Sequence, residues 1–145
     1  MTTIKAIIKT ALHWEKHSQR FYQNAATKAE DEQIKKLFQK LAGQEKIHVQ
    51  RLKEYEATAN QKIHEEIPWL QTDDIQTYKM NKQQEIKEIL EYAMQKEHEA
   101  QTKYRKLAET IKEPDAKKLL KNLAQAENGH YHLLKTKHNQ LNTNL

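Results

Sequence analysis

Apolar residues recur along this chain in steps of three and four, and charged or amide side chains fill the positions between them. The first segment, from about Thr3 to Ala29, carries the stripe Ile4, Ile8, Ala11, Glu15, Ser18, Tyr22, Ala25 and Ala26. A second, from about Glu32 to Ala59, carries Ile34, Leu37, Phe38, Leu41, Glu45, His48, Leu52 and Tyr55. A third, from about Lys82 to Ile111, carries Ile86, Ile89, Leu90, Ala93, Glu97, Ala100, Tyr104, Leu107, Ala108 and Ile111. The fourth, from about Asp115 to Lys137, carries Ala116, Leu119, Leu120, Leu123, Glu127, His130 and Leu134, and the tail HNQLNTNL after it is expected to fray. This spacing puts each set on one face of a helix, with the polar residues on the wet face.

Short turns separate the first helix from the second and the third from the fourth. Glu30 and Asp31 form one, with Asp31 placed to cap the second helix; Glu113-Pro114-Asp115 forms the other. Between them, residues 60–81, with Pro68 and Asp73-Asp74, show no helical period. A helix of 26 residues is roughly 39 Å long. A link of some twenty residues at about 3.3 Å each spans that distance. The pattern predicts one all-α domain over 1–145: an antiparallel four-helix bundle made of a hairpin (3–59), a long crossover (60–81) and a second hairpin (82–138).

The two hairpins are copies. Of the 42 residues from Ala11 to Leu52, thirteen recur unchanged 82 positions later without a gap, among them Glu15/Glu97, Tyr22/Tyr104, Glu45/Glu127 and His48/His130. Chance would give about three.

Composition narrows the chemistry. The 145 residues are enough for one real core, and two Gly and two Pro suit long helices. With no cysteine, disulfides, thiolate zinc sites, iron–sulfur clusters and thiol catalysis are excluded. A cytoplasmic protein without signal peptide or membrane span is expected. The net charge of +5 is spread among Glu and Gln without a basic stripe, so no nucleic-acid partner is expected.

Each apolar stripe also carries acid. Glu15 and Glu97 stand singly on helices one and three, whereas helices two and four carry Glu45-x-x-His48 and Glu127-x-x-His130. Residues three apart share a helix face. About one Glu-x-x-His pair is expected by chance, and two occur, in register with the repeat, each preceded by a lone Glu 30 residues earlier. Four unpaired carboxylates in a core would be prohibitive. Two divalent cations would balance their charge, and carboxylate with imidazole suits iron or manganese.

The arrangement, and the stretches ALHWEKHSQRFY, KKLFQKLAGQEKIH, AMQKEHEAQTKY and KKLLKNLAQAENGH, resemble the ferritin-like di-iron carboxylate superfamily and within it the small rubrerythrin-like proteins, over about residues 4–138. The resemblance implies two iron ions, or manganese, with Glu15, His48, Glu97 and His130 as terminal ligands and Glu45 and Glu127 as bridges. It implies oxidation of ferrous iron or reduction of O₂ or peroxide (catalase-like if manganese), and a homodimer. That family's further Glu, one turn past the lone Glu of the third helix, is here Ala100, and its repeat partner is Ser18. Its four-cysteine electron-transfer module has no counterpart in a chain without cysteine, so an external electron donor is implied. A non-enzymatic role, sequestering metal or docking to a larger assembly, stays open beside the redox one.

Tyr22 and Tyr104, seven residues past each lone Glu, are expected to hydrogen-bond ligand carboxylates. Trp14 is expected to pack, His13 and His17 to lie on a wet face, His64, His132 and His138 to be exposed, and Trp69 to plug the bundle end or meet a partner subunit.

Overall fold

A computed structural model describes residues 2–59, 63, 64, 67, 69, 70 and 86–143. The chain divides into two compact units, Met1–Lys79 and Met80–Leu145. Each is built on one pair of helices.

In the first unit, α1 (Ile4–Lys28) and α2 (Glu32–Thr58) pack along one another. Three residues join them, which leaves only an antiparallel return. Their ends are satisfied locally. Thr3 Oγ1 accepts from Ala6 N at 3.0 Å, and Asp31 Oδ1, as the sequence predicts, accepts from Ile34 N at 3.0 Å. The Ala29 N–H closes α1 on Ala25 O at 3.0 Å. The buried face holds Ile4, Ile8, Ala11, Tyr22, Ala25 and Ala26 from α1, and Ile34, Phe38, Leu41 and Leu52 from α2. Leu37 and Tyr55, at the edges of the predicted stripe, are only half-buried. Trp14 is buried, as expected of a packing residue. A short pairing absent from the predicted elements joins β1 (Thr2–Thr3) to β2 (Ile63–His64), antiparallel. Two residues per strand are too few to leave a period-two signal.

In the second unit, α3 (Ile86–Thr110) and α4 (Pro114–Thr143) form the same kind of hairpin. Glu113 takes the capping role with its long carboxylate: Oε2 accepts from Ala116 N at 2.7 Å and Oε1 from Asp115 N at 3.3 Å. Pro114 then fits the first turn, where its missing N–H costs nothing. The buried face is Leu90, Ala93, Tyr104, Leu107, Ala108 and Ile111 against Ala116, Leu120, Leu123 and Leu134.

The fourth helix, expected to end near Lys137, continues to Thr143. His138 is not free in solvent: its Nε2 lies 2.9 Å from Glu91 Oε1, which ties the last turns of α4 to α3. Most of the expected link, including Pro68 and Asp73-Asp74, and the first turn expected of the third helix at 82–85, lie outside the described residues. No described helix is long and apolar enough to cross a membrane.

Two substitutions test this frame in thermal or urea unfolding of the metal-free chain. Asp31→Ala removes the α2 cap and is expected to cost about 1 kcal/mol. Phe38→Ala empties a fully buried site and is expected to cost about 3–5 kcal/mol.

Candidate metal centre

The helix period that builds each apolar face also carries acid into it. Glu15 on α1 falls on the same face as Ala11, and Glu45 and His48 fall on the buried face of α2 between Leu41 and Leu52. All three are buried, with Glu45 wholly so. Hairpin pairing brings them together. His48 Nδ1 lies 3.4 Å from Glu15 Oε1 and 3.7 Å from Glu45 Oε2. One donor atom from each of the three lies within 4.8 Å of the others.

The second hairpin repeats the arrangement. Glu97 on α3 meets Glu127 and His130 on α4, all three buried. His130 Nδ1 is 3.5 Å from both Glu97 Oε1 and Glu127 Oε2. Their donor atoms also fall within 4.8 Å of one another. Thus the 82-residue repeat is a repeat of geometry, with matching distances that differ by 0.2 Å at most.

These separations are too long for good hydrogen bonds between the named atoms. Donor atoms gathered this closely can hold a metal ion in common. Electrostatics says the same. Burial pushes the Glu15 carboxyl well above its ordinary value of 4.5, the neighbouring Glu45 carboxylate pushes it further, and His48 offsets part of this. Glu97 is raised for the same reasons in the same order: burial, then Glu127, with His130 opposing. Buried carboxylates crowded together resist ionisation unless positive charge joins them. A donor set of carboxylate oxygens and imidazole nitrogens, without sulfur, fits iron, manganese or zinc.

Tyr22 and Tyr104, two turns beyond the lone glutamates, are both buried. The Tyr22 ring lies over Phe38 at 6.1 Å between centroids and 27° between planes, with Phe21 edge-on at 5.3 Å. His13 is exposed and His17 half-buried, both outside the triad. His98, beside Glu97, packs its ring against Tyr131 at 6.2 Å. Ala100 and Ser18 are half-buried, without a carboxylate to add.

Among the described residues, two buried polar ones lie off the stripes read from the sequence: Thr10, whose Oγ1 donates to Ala6 O at 3.2 Å, and Gln101. Gln101, one turn past Glu97, is buried. With its amide oxygen turned toward Arg105 it accepts from Nη1 at 3.3 Å and also from Nη2. The signal was available: Gln19 and Gln101 are one of the thirteen repeated pairs.

Residues 6–137 match the sequence model of the rubrerythrin family. Among curated protein sequences none matches the chain. Among solved structures, a hypothetical protein of Pyrococcus furiosus is similar, with a TM-score of 0.78 and 24% identity over 96% of this chain and 90% of that one. A Thermotoga maritima protein described as a ferritin-like diiron-carboxylate protein superposes with a TM-score of 0.73 and 23% identity, over 95% of each chain. A two-domain protein of Anabaena variabilis, with DJ-1/ThiJ/PfpI-like and ferritin-like domains, matches with a TM-score of 0.76 and 18% identity over 97% of this chain and 37% of that one. The fold is therefore the ferritin-like helical bundle that the four stripes predict.

The raised carboxyls make a prediction about the metal-free chain. A carboxyl whose folded-state value lies above its unfolded value adds stability that is fully present below the unfolded value near 4.5. That stability is lost as pH rises through the folded value. Unfolding of the metal-free wild type should therefore show melting temperature falling from acid toward neutral pH by more than in Glu15→Gln/Glu97→Gln. At pH 7 the double variant is expected to melt higher, each kcal/mol reading as roughly 2–4 °C. An unchanged slope with pH would refute it.

Proposed function

The chain belongs to the rubrerythrin family, and from that premise we propose that its two triads act together as one di-metal centre that oxidises ferrous iron or reduces peroxide or O₂. The observation that carries this reading is the pair of buried Glu/Glu/His triads with near-identical spacing. Four carboxylates against two divalent cations sum to zero charge, which removes the penalty that raises Glu15 and Glu97. In this reading Glu15, Glu45, His48, Glu97, Glu127 and His130 would hold the two ions. Iron is the first assignment and manganese the alternative. Bound metal would supply the one-electron redox chemistry that no side chain here provides.

The residues of the chain do the rest. The helices fix the donors on rigid elements, so little reorganisation is needed when charge changes at the site. Burial keeps bulk water away and strengthens every charge interaction within. Tyr22 and Tyr104 are assigned as hydroxyl donors that hold ligand carboxylates in place. These residues include no cysteine with which to bind iron–sulfur or rubredoxin-type iron. In this proposal a separate donor supplies the reducing equivalents, and a homodimer acts in the cytoplasm.

A second reading, metal sequestration without turnover, is favoured by one observation. The residue one turn past Glu97 on the ligand side is Ala100, where full members of the family add a glutamate. Turnover of peroxide with a supplied reductant separates the two readings.

Elemental analysis of protein purified without added metal is expected to give about two iron or manganese per chain. Glu45→Ala/Glu127→Ala is expected to lose nearly all of it while keeping its helical spectrum. Ferrous oxidation and peroxide consumption should fall to background in the same variant. Metal retained by that variant would end the proposal, and metal bound without turnover in the wild type would select sequestration. Tyr104→Phe should weaken metal retention roughly tenfold or more if its hydroxyl holds a ligand.

A further inference from the structure

Each hairpin has a surface groove between its helices, at repeat-related positions, and the two have diverged in which charged side chains line them. In the second unit the groove encloses about 270 Å³. Its floor is Ala108 and Ala124, both buried. Arg105 and Glu109 rim it from α3, and Lys121 and Asn128 from α4. In the first unit the corresponding groove, about 380 Å³, keeps the floor as Ala26 and Ala42, each 82 residues earlier. The net charge of +1 is the same, but the charged positions are not: Gln23 stands where Arg105 is, Gln39 where Lys121 is, and Thr27 where Glu109 is, so the paired cations occur in the second groove alone. The one cation of that first groove, Lys35, has as its repeat partner Lys117, which does not line the second.

Arg105 is also held in place. Gln101, 6% exposed, accepts from both terminal nitrogens of its guanidinium when the amide oxygen faces it. A neutral acceptor restrains the fork without cancelling its charge, and the guanidinium keeps further N–H donors. A planar fork and a point charge across a shallow apolar floor are the usual grip on a phosphate group. Glu109 leaves the three charged groups of the rim at a net +1 and supplies an acceptor for a hydroxyl beside the anion.

We propose that the α3/α4 groove binds the phosphate group of a small molecule, with Arg105 and Lys121 gripping the anion and Asn128 adding an amide donor. The organic part lies on Ala108 and Ala124. The repeated groove of the first hairpin, with glutamines in place of both cations, does not share this activity. None of the groove residues is one of the six carboxylate and imidazole donors of the triads.

Calorimetric titration of the metal-free full chain, at constant ionic strength, tests this with inorganic phosphate and with glycerol 3-phosphate. One saturable site is expected in the wild type. Arg105→Gln/Lys121→Gln installs the residues that the first groove carries and should weaken binding at least tenfold, with an unchanged circular dichroism spectrum. Glu109→Gln, which removes the opposing charge, should tighten it severalfold. Tighter binding of glycerol 3-phosphate assigns a phosphate monoester, and equal affinities assign the free ion. No saturable heat in the wild type, or binding in the double variant within twofold of wild type, would overturn the proposal.

Discussion

Everything in this molecule answers to the cost of putting carboxylates where side chains should be apolar. Glu15, Glu45, Glu97 and Glu127 are all but fully buried. An ionised carboxylate taken out of water without compensation loses far more than a leucine in its place would gain. The helices carry the load because each triad shares its helix faces with Ile, Leu, Ala and Tyr that bury well whatever the acids do. Raised carboxyl values at Glu15 and Glu97 are the direct trace of that conflict. A protein built for stability alone would place leucine at these positions.

Much of this was legible in the residues, because the helical period is a geometric statement as well as a hydrophobic one. Once Leu41, Glu45, His48 and Leu52 are placed on one stripe, the acid and imidazole must point where the leucines point. The gapless 82-residue offset then transfers the same inference to Glu127 and His130. Short turns at Asp31 and Glu113-Pro114 fixed the hairpins, since a helix capped within three residues of the previous one has little choice but to return along it.

What escaped the sequence was set by contacts without a period. The polar run after Lys137 reads as tail, yet His138 finds Glu91, 47 residues away, and α4 continues to Thr143. The Thr2–Thr3 pairing with Ile63–His64 is too brief to announce itself. Gln101 falls between the stripe positions Ala100 and Tyr104, and its burial beside the Arg105 guanidinium leaves no trace in the period. Repeats conceal as well as reveal: Arg105 and Lys121 stand where the two halves differ.

The three-residue turns have a consequence for biosynthesis. Within each hairpin all metal-facing donors lie on neighbouring helices, so each triad is a local structure along the chain. His48 emerges 49 residues before Glu97. At cellular translation speeds of about 5–20 residues per second, the first triad waits roughly 2–10 s for the first residue of the second. During that interval the nascent chain holds acid on an apolar face with no second triad yet made. Until then the first hairpin carries three of the six donors alone, with exposed lysines and glutamates flanking its stripes.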